Sequence, residues 1–219
     1  MVAAKLKELS VEELANTLTH GFGLVLSIVG FAVLLVLASV RGTALDFVSC
    51  VVYGSSMVIL YAASTLYHGS NSPTLKKRLQ IVDHCCIYLL IAGSYTPFVI
   101  TIGGTLGRNL LAFVWLFAGV GIAAKLLLGT RFPAISVISY LLMGWVGVFA
   151  IEPLFNALGG VPIALIIAGG IAYSLGVIFF AWKSIRHHHA IFHVFVIAGS
   201  VFHYAAVVGY VVPFSAAAL

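Results

Sequence analysis

Charged residues are scarce in this sequence. Only 8% of the 219 residues are Asp, Glu, Lys or Arg, about a third of the share usual in soluble domains, whereas 62% are hydrophobic. A water-soluble fold would lack the polar side chains needed to cover its surface. The composition therefore excludes a soluble globular protein and indicates a membrane protein.

The sequence also lacks the short segments of alternating polarity that are typical of a membrane β-barrel. Instead, seven continuous apolar runs are long enough, at about 20 residues each, to cross a hydrocarbon core of about 30 Å as helices. The connections are short, so we expect a single domain over residues 1–219. We predict an all-α integral membrane bundle of seven transmembrane helices, with spans near 18–40, 45–67, 80–102, 109–128, 133–151, 160–182 and 189–212.

The sequence is also poor in cysteine and lacks a cleavage site near its start. There are only three cysteines, Cys50, Cys85 and Cys86, and all of them fall within predicted spans, so we expect free thiols and no disulfide. The amino-terminal segment also shows no early small-residue cleavage site before the first span. We therefore expect the first helix to be retained and not to act as a signal peptide.

The basic residues lie mostly on one side of the predicted bundle. Nine of the eleven fall there, namely Lys5, Lys7, Lys76, Lys77, Arg78, Lys125, Arg131, Lys183 and Arg186. By the positive-inside rule, this side is cytoplasmic, so the amino terminus is cytoplasmic and the carboxyl terminus is outside. Because topology and lipid headgroups account for the net charge of +5, we expect no nucleic-acid partner.

Polar side chains within the predicted spans gather at the cytoplasmic end. Ser64 and His68 lie four residues apart on one face at the end of span two, and Asp83 enters span three at the same level with His84. A terminal His is often an interface or capping residue, and a carboxylate near a helix start is often a cap. A functional cluster is the alternative, because polar groups inside a bilayer usually face the bundle interior.

Span seven begins HHHAIFH. Among the three leading histidines, only His189 has another His four residues on, His193, and two imidazoles one turn apart can bind one metal ion. We assign His187 and His188 to a cytoplasmic basic loop. His203 lies about 21 Å further along the helix, so we expect it to form a hydrogen bond inside the bundle.

Span one carries a weaker polar stripe. Glu12, Asn16 and His20 follow one another at intervals of four residues and lead to the same interface. They are either a second shell around the cluster or the hydrated face of an amphipathic entry segment, and the pattern favours the second interpretation.

Four blocks of the sequence, three of them within or beside the polar cluster, resemble a known family. The three are STLYH at 64–68, DHCCIYLLIAGSYTP from residue 83 and HAIFHVFVIAGSVFHY at 189–204, and ELANTLTHGFG near the start is the fourth. All four are similar to the signature blocks of the progestin and adipoQ receptor family, specifically its bacterial hemolysin III branch. The resemblance covers essentially the whole chain.

The resemblance implies a Zn²⁺ ion near the cytoplasmic face, bound by His68, His189 and His193. It also implies that Ser64 and Asp83 support the metal and its bound water. The chain departs from its relatives at Ala190, where they often have Glu or Gln. The wider group includes alkaline ceramidases, so the resemblance suggests a zinc-dependent hydrolase of a lipid amide or ester.

Three functional hypotheses follow. In the first, three His ligands leave a fourth position on the zinc for water, with a pKa lowered toward about 7, and Asp83 acts as base with help from Ser64. In the second, a structural zinc serves a sensor or regulator of membrane state. The third, a pore, is disfavoured because the polar residues lie at one end only.

The resemblance also places the protein in the bacterial inner membrane, with a role in membrane lipid or energetic homeostasis and membrane lipid as its partner. Glycines that permit close helix packing are consistent with a homo-oligomer; they are Gly169, Gly170 and Gly176.

Overall fold

The computed structural model describes the backbone of residues 2–212 and the side chains of residues 11–212. Within that range it contains no β-strand, which confirms the predicted all-α fold class. The helices are α1 (Val2–Arg41), α2 (Ala44–Gly69), α3 (Pro73–Ile102), α4 (Gly104–Leu128), α5 (Pro133–Trp145), α6 (Ile151–Leu158), α7 (Gly160–Ala181) and α8 (His188–Ala206).

Seven segments in the described range are long and apolar enough to cross a membrane, as predicted. The third begins at Pro73, seven residues earlier than expected, because the Ser72 side chain accepts a hydrogen bond from Leu75 N and proline suits the first helical position. The side chains of Lys5 and Lys7 and all residues after 212 lie outside the described residues. The orientation in the membrane therefore stays a prediction.

The fifth span is not one continuous α-helix. It consists of α5, a 3-10 turn at Val146–Ala150, and α6. The Tyr95 hydroxyl of α3 donates a hydrogen bond to Gly144 O (2.6 Å) and accepts one from Gly147 N (2.7 Å). Because the bilayer core offers no water to unpaired backbone groups, a partner from the neighbouring helix allows this break.

Neighbouring helices pack in an order that brings three helix ends together. Helix α1 packs between α2 and α8, α2 packs on α3, and α3 packs on α4, while α7 packs on α8. The end of α2 and the start of α3 are joined by residues 70–72. Since α1 contacts both α2 and α8, the end of α2, the start of α3 and the start of α8 meet at one end of the bundle. We call this the histidine end.

Close packing between α3 and α4 depends on Gly121. A Cβ atom at Gly121 would lie 2.5 Å from ring carbons of the buried Tyr88, whose hydroxyl is held by a hydrogen bond to Ser139 Oγ (2.7 Å). At Gly119, two residues earlier in α4, no described atom lies within 4 Å of an added Cβ.

We therefore expect Gly121→Ala to destabilise the protein by about 1–3 kcal/mol through overpacking. Gly119→Ala should not destabilise the protein and should stabilise it by up to about 1 kcal/mol, because alanine favours the helix. Thermal unfolding in detergent, followed by intrinsic fluorescence, measures both. Equal melting temperatures for the two variants would contradict the packing described for α3 and α4.

Candidate metal centre

Three histidines meet at the histidine end. His68 is the penultimate residue of α2, and His189 and His193 lie in the first two turns of α8. Their ring centroids are separated by 4.7, 4.9 and 5.0 Å. One ring nitrogen of each residue lies within 4.8 Å of the others. The structure thus brings together the three side chains that the sequence nominated as metal ligands.

The ring of His68 is oriented by a carboxylate. Its Nδ1 donates a hydrogen bond to Glu13 Oε2 at 2.8 Å, and the same oxygen pairs with Lys76 Nζ at 2.9 Å. Since a carboxylate only accepts, the neutral imidazole keeps its lone pair on Nε2. This Nε2 is buried and has no hydrogen-bond partner among the described residues. A buried acceptor without a partner is costly, so Nε2 is available to bind an ion.

The ring of His193 is oriented in the same way by a backbone group. Its Nδ1 lies 3.2 Å from the carbonyl oxygen of Asn16 and 3.1 Å from Thr19 Oγ1. A peptide carbonyl only accepts, so Nδ1 carries the proton and Nε2 holds the lone pair. The side chain is only 1% exposed. Two of the three rings therefore keep the lone pair on the same nitrogen, Nε2.

The donor set fits a borderline transition metal. Calcium and magnesium select oxygen ligands, whereas neutral imidazole suits zinc and its neighbours. In a tetrahedral zinc site with Zn–N bonds of about 2.0–2.1 Å, the ligand nitrogens lie about 3.3 Å apart. The nitrogens here lie within 4.8 Å of one another, so small side-chain rotations would close the triangle. The three histidines are close enough to hold one metal ion.

Ser64 and Asp83 lie beside the cluster and face a shared cavity. Ser64 is one turn before His68 on α2, and its buried Oγ has no hydrogen-bond partner among the described residues. It lies next to the Asp83 carboxylate across the α2–α3 contact. Both residues line the cavity together with His189 and His193. The hydroxyl and the carboxylate thus lie together on the wall of the cavity.

The cavity has a volume of about 240 Å³ and mostly apolar walls. It extends along α8 from His189 to His203, a rise of about 21 Å over fourteen residues. At its far end, His203 Nε2 donates to the carbonyl oxygen of Ile166 at 3.1 Å, the hydrogen bond inside the bundle that the sequence led us to expect. One leaflet of a membrane is about 15 Å thick, so the cavity is long enough for an acyl chain.

The residues nominated for a second shell lie in different positions around the cluster. His20 stacks on His193 with ring centroids 3.4 Å apart, and neither of its ring nitrogens has a partner among the described residues. Asn16 contributes its backbone carbonyl to His193. Glu12 Oε1 lies 3.8 Å from His188 Nε2.

The sequence reasoning missed Glu13, the carboxylate that contacts His68. A signal was present, because Glu13, Asn16 and His20 are spaced i, i+3 and i+7 and so share one face of α1. Glu12, Asn16 and His20 are spaced i, i+4 and i+8, and this spacing departs further from the helical period of 3.6 residues. Glu13 and Glu12 therefore make a natural pair for experiment.

Comparison with known proteins places the chain among membrane proteins of one family. The family model described as "Haemolysin-III related" matches residues 10–204. The matched range includes Glu13, Ser64, Asp83 and the three clustered histidines.

Individual relatives agree with that match. Hemolysin-3 of Bacillus cereus is 47% identical over 203 residues, covering 92% of this chain and 93% of the relative. A hemolysin-3 homolog of Bacillus subtilis is 46% identical over 190 residues, covering 86% and 89%. The human monocyte to macrophage differentiation factor is 31% identical over 205 residues, covering 90% and 83%.

The contact between Glu13 and His68 predicts how replacing Glu13 with glutamine changes metal affinity. Glu13→Gln removes the negative charge that orients His68, so affinity for added Zn²⁺ should fall by roughly 10- to 100-fold. Glu12→Gln is the matched control and should change the affinity less than about threefold, because Glu12 contacts His188 and not a clustered histidine. Competition with a chelating dye on purified protein measures both affinities. A larger loss in Glu12→Gln than in Glu13→Gln would contradict the assignment.

Proposed function

This chain belongs to the haemolysin-III related family, and from that membership and the buried histidine cluster we propose that it is a zinc-binding membrane hydrolase of a lipid amide or ester. The observation that carries the proposal is the orientation of His68 and His193, whose outward nitrogens are engaged and whose Nε2 atoms remain for a metal. His189 completes the ligand set.

Zinc held by His68, His189 and His193 would supply a Lewis acid, which would polarise a carbonyl group and lower the pKa of water to about 7. Asp83 would accept a proton from the attacking water molecule as the water oxygen bonds to the substrate carbonyl carbon. The Ser64 hydroxyl, which lines the cavity, would donate a hydrogen bond to the carbonyl oxygen as negative charge develops there. Asp83 then returns the proton to the departing amine or alkoxide when its bond to the carbonyl carbon breaks.

The cavity supports a lipid as the substrate. Its mostly apolar walls suit an acyl chain, while the polar residues Ser64, Asp83, His189 and His193 lie at its histidine end. The charge distribution of the sequence predicts that this end faces the cytoplasm of a bacterial cell. A substrate would then place its chain within the bundle and its scissile bond at the cytoplasmic interface. Such a reaction suits a role in membrane lipid homeostasis.

A structural metal in a sensor of membrane state is the second candidate. It is favoured by the position of the cluster, which joins the end of α2 to the start of α8, helices far apart in the sequence. An ion there would hold these ends together whether or not chemistry follows. A pore is disfavoured, because a water-filled path needs polar residues along its length and the cavity walls are mostly apolar.

Metal analysis of purified protein tests the ligand set. We expect about one zinc ion per chain in the wild type, since three ligands bind one ion, and a loss of most of it in His68→Ala, His189→Ala and His193→Ala. His188→Ala is the matched control, because His188 precedes His189 on α8 but lies outside the cluster. Equal zinc content in His188→Ala and His189→Ala would contradict the assignment.

Product analysis tests the reaction. Protein reconstituted in vesicles of bacterial lipid extract should release fatty acid that mass spectrometry detects. Asp83→Asn should keep its zinc and lose roughly 10²- to 10⁴-fold in turnover, as expected for removal of a general base. Glu152→Gln, which removes an exposed carboxylate that does not line the cavity, should retain wild-type turnover. Absence of product from zinc-loaded wild type, with a melting temperature that falls on chelation, would favour the structural metal instead.

A further inference from the structure

Lys125 is a buried cation on the inner face of α4. The buried residues of this helix recur at intervals of three or four and form one stripe, comprising Gly107, Leu110, Val114, Ala118, Gly121 and Lys125. Lys125 is 4% exposed, whereas the next three residues, Leu126, Leu127 and Leu128, are 65%, 83% and 54% exposed. A lysine near the end of a membrane helix usually extends its ammonium group to the interface. Lys125 instead turns toward the cavity, which it lines.

The ammonium group of Lys125 has no partner of opposite charge among the described residues. No carboxylate oxygen of these residues lies within 4 Å of its Nζ, and none of them accepts a hydrogen bond from it. Asp83 is the only carboxylate among the described residues that line the cavity, and it forms no ion pair with Lys125. A cation without a partner in a mostly apolar cavity is costly, and ionisable residues within membrane spans usually face a partner or a substrate path.

A second polar group lies beside Lys125. The charge of Lys125 is close enough to act on the ring of His84, which lines the same cavity. His84 Nδ1 is buried and has no hydrogen-bond partner among the described residues. The backbone of His84 is fixed by a hydrogen bond from the Tyr140 hydroxyl to its carbonyl oxygen at 3.0 Å. A cation and an unpartnered imidazole therefore share one wall at the histidine end of the cavity.

We propose that Lys125 and His84 form an anion-binding subsite, which holds the carboxylate or phosphate group of a lipid whose acyl chain fills the cavity. The ammonium group supplies the charge and up to three hydrogen-bond donors, and the imidazole supplies one more. The apolar length of the cavity and the cation at one end match the two parts of an anionic amphiphile. The inference rests on the proposed function in one respect, that the cavity holds a lipid, and it narrows the substrate class to anionic lipids.

Binding of matched lipids to the purified full-length protein tests the subsite. The probes are radiolabelled hexadecanoate and hexadecanol, which share a chain and differ in the anionic group. The protein is stripped of metal with a chelator, so that a carboxylate cannot bind a metal ion instead of Lys125. Wild type should prefer hexadecanoate by roughly 10- to 100-fold, the value of a charge-assisted hydrogen bond.

The variants separate the charge of Lys125 from its bulk. Lys125→Met should bind both probes with similar affinity, while Lys125→Arg should keep at least part of the preference because it keeps the charge. Lys183→Met is the matched control, since Lys183 is an exposed lysine between α7 and α8, and it should retain the full preference. Thermal unfolding of each variant shows whether it is still folded. If Lys125→Met is unfolded, the preference of Lys125→Arg for hexadecanoate is the test.

Competition with free anions shows whether the subsite binds the anionic group of a lipid or a free anion such as phosphate. Unlabelled hexadecyl phosphate should displace hexadecanoate from wild type at far lower concentration than inorganic phosphate or acetate. Displacement by inorganic phosphate at the same concentration as hexadecyl phosphate would overturn the lipid assignment. A wild-type protein without preference, or a Lys125→Met protein that keeps it, would overturn the subsite itself.

The outcome is independent of the proposed reaction. Zinc content and fatty-acid release are measured on samples of each preparation that are taken before the chelator is added, and Lys125→Met should keep the zinc content of the wild type. A protein that prefers the anionic probe but releases no fatty acid would contradict the hydrolase alone. A protein that releases fatty acid without any preference for the anionic probe would contradict the subsite alone.

Discussion

The hydrogen bond between Glu13 and His68 is the contact on which the histidine end depends. It joins α1 to α2 and directs the lone pair of His68 toward the other histidines. The same helix orients His193 of α8 through the carbonyl oxygen of Asn16. One face of α1 thus orients two of the clustered histidines, which belong to its two neighbours. Because the bilayer provides no alternative partner for an imidazole, losing either contact would leave a buried polar group unpaired.

The two ends of the cavity differ in polarity, because several of its ionisable side chains lie at the histidine end. Ser64, Asp83, His84 and Lys125 surround its histidine end, while apolar side chains line most of the remaining length. A ligand with a charged or polar end and a long apolar chain matches this arrangement in one orientation only. The polar end of such a ligand would then lie near the three histidines, since these occupy the same end. The shape of the cavity and its charges therefore argue for the same class of ligand.

Much of the architecture could be predicted from the sequence because membrane spans depend on local properties. A run of about 20 apolar residues must form a helix to pair its backbone groups, so all seven spans were found. The break in the fifth span was not predicted, since it relies on the Tyr95 hydroxyl from another helix. Lys125 was counted only among the basic residues of the cytoplasmic side. Its place in the buried stripe of α4 could have been found from the helical period, because the buried residues of that helix recur every three or four positions.

The sequence by itself determined the helical class, the number of spans and the pair His189 and His193, because composition, length and helical period act over short distances along the chain. Only the tertiary structure decided which carboxylate of α1 meets His68 and that Lys125 faces the cavity without a partner. The packing of α1 between α2 and α8 selects Glu13 over Glu12. That choice follows from how helices pack against one another, and no local pattern in a single helix specifies it.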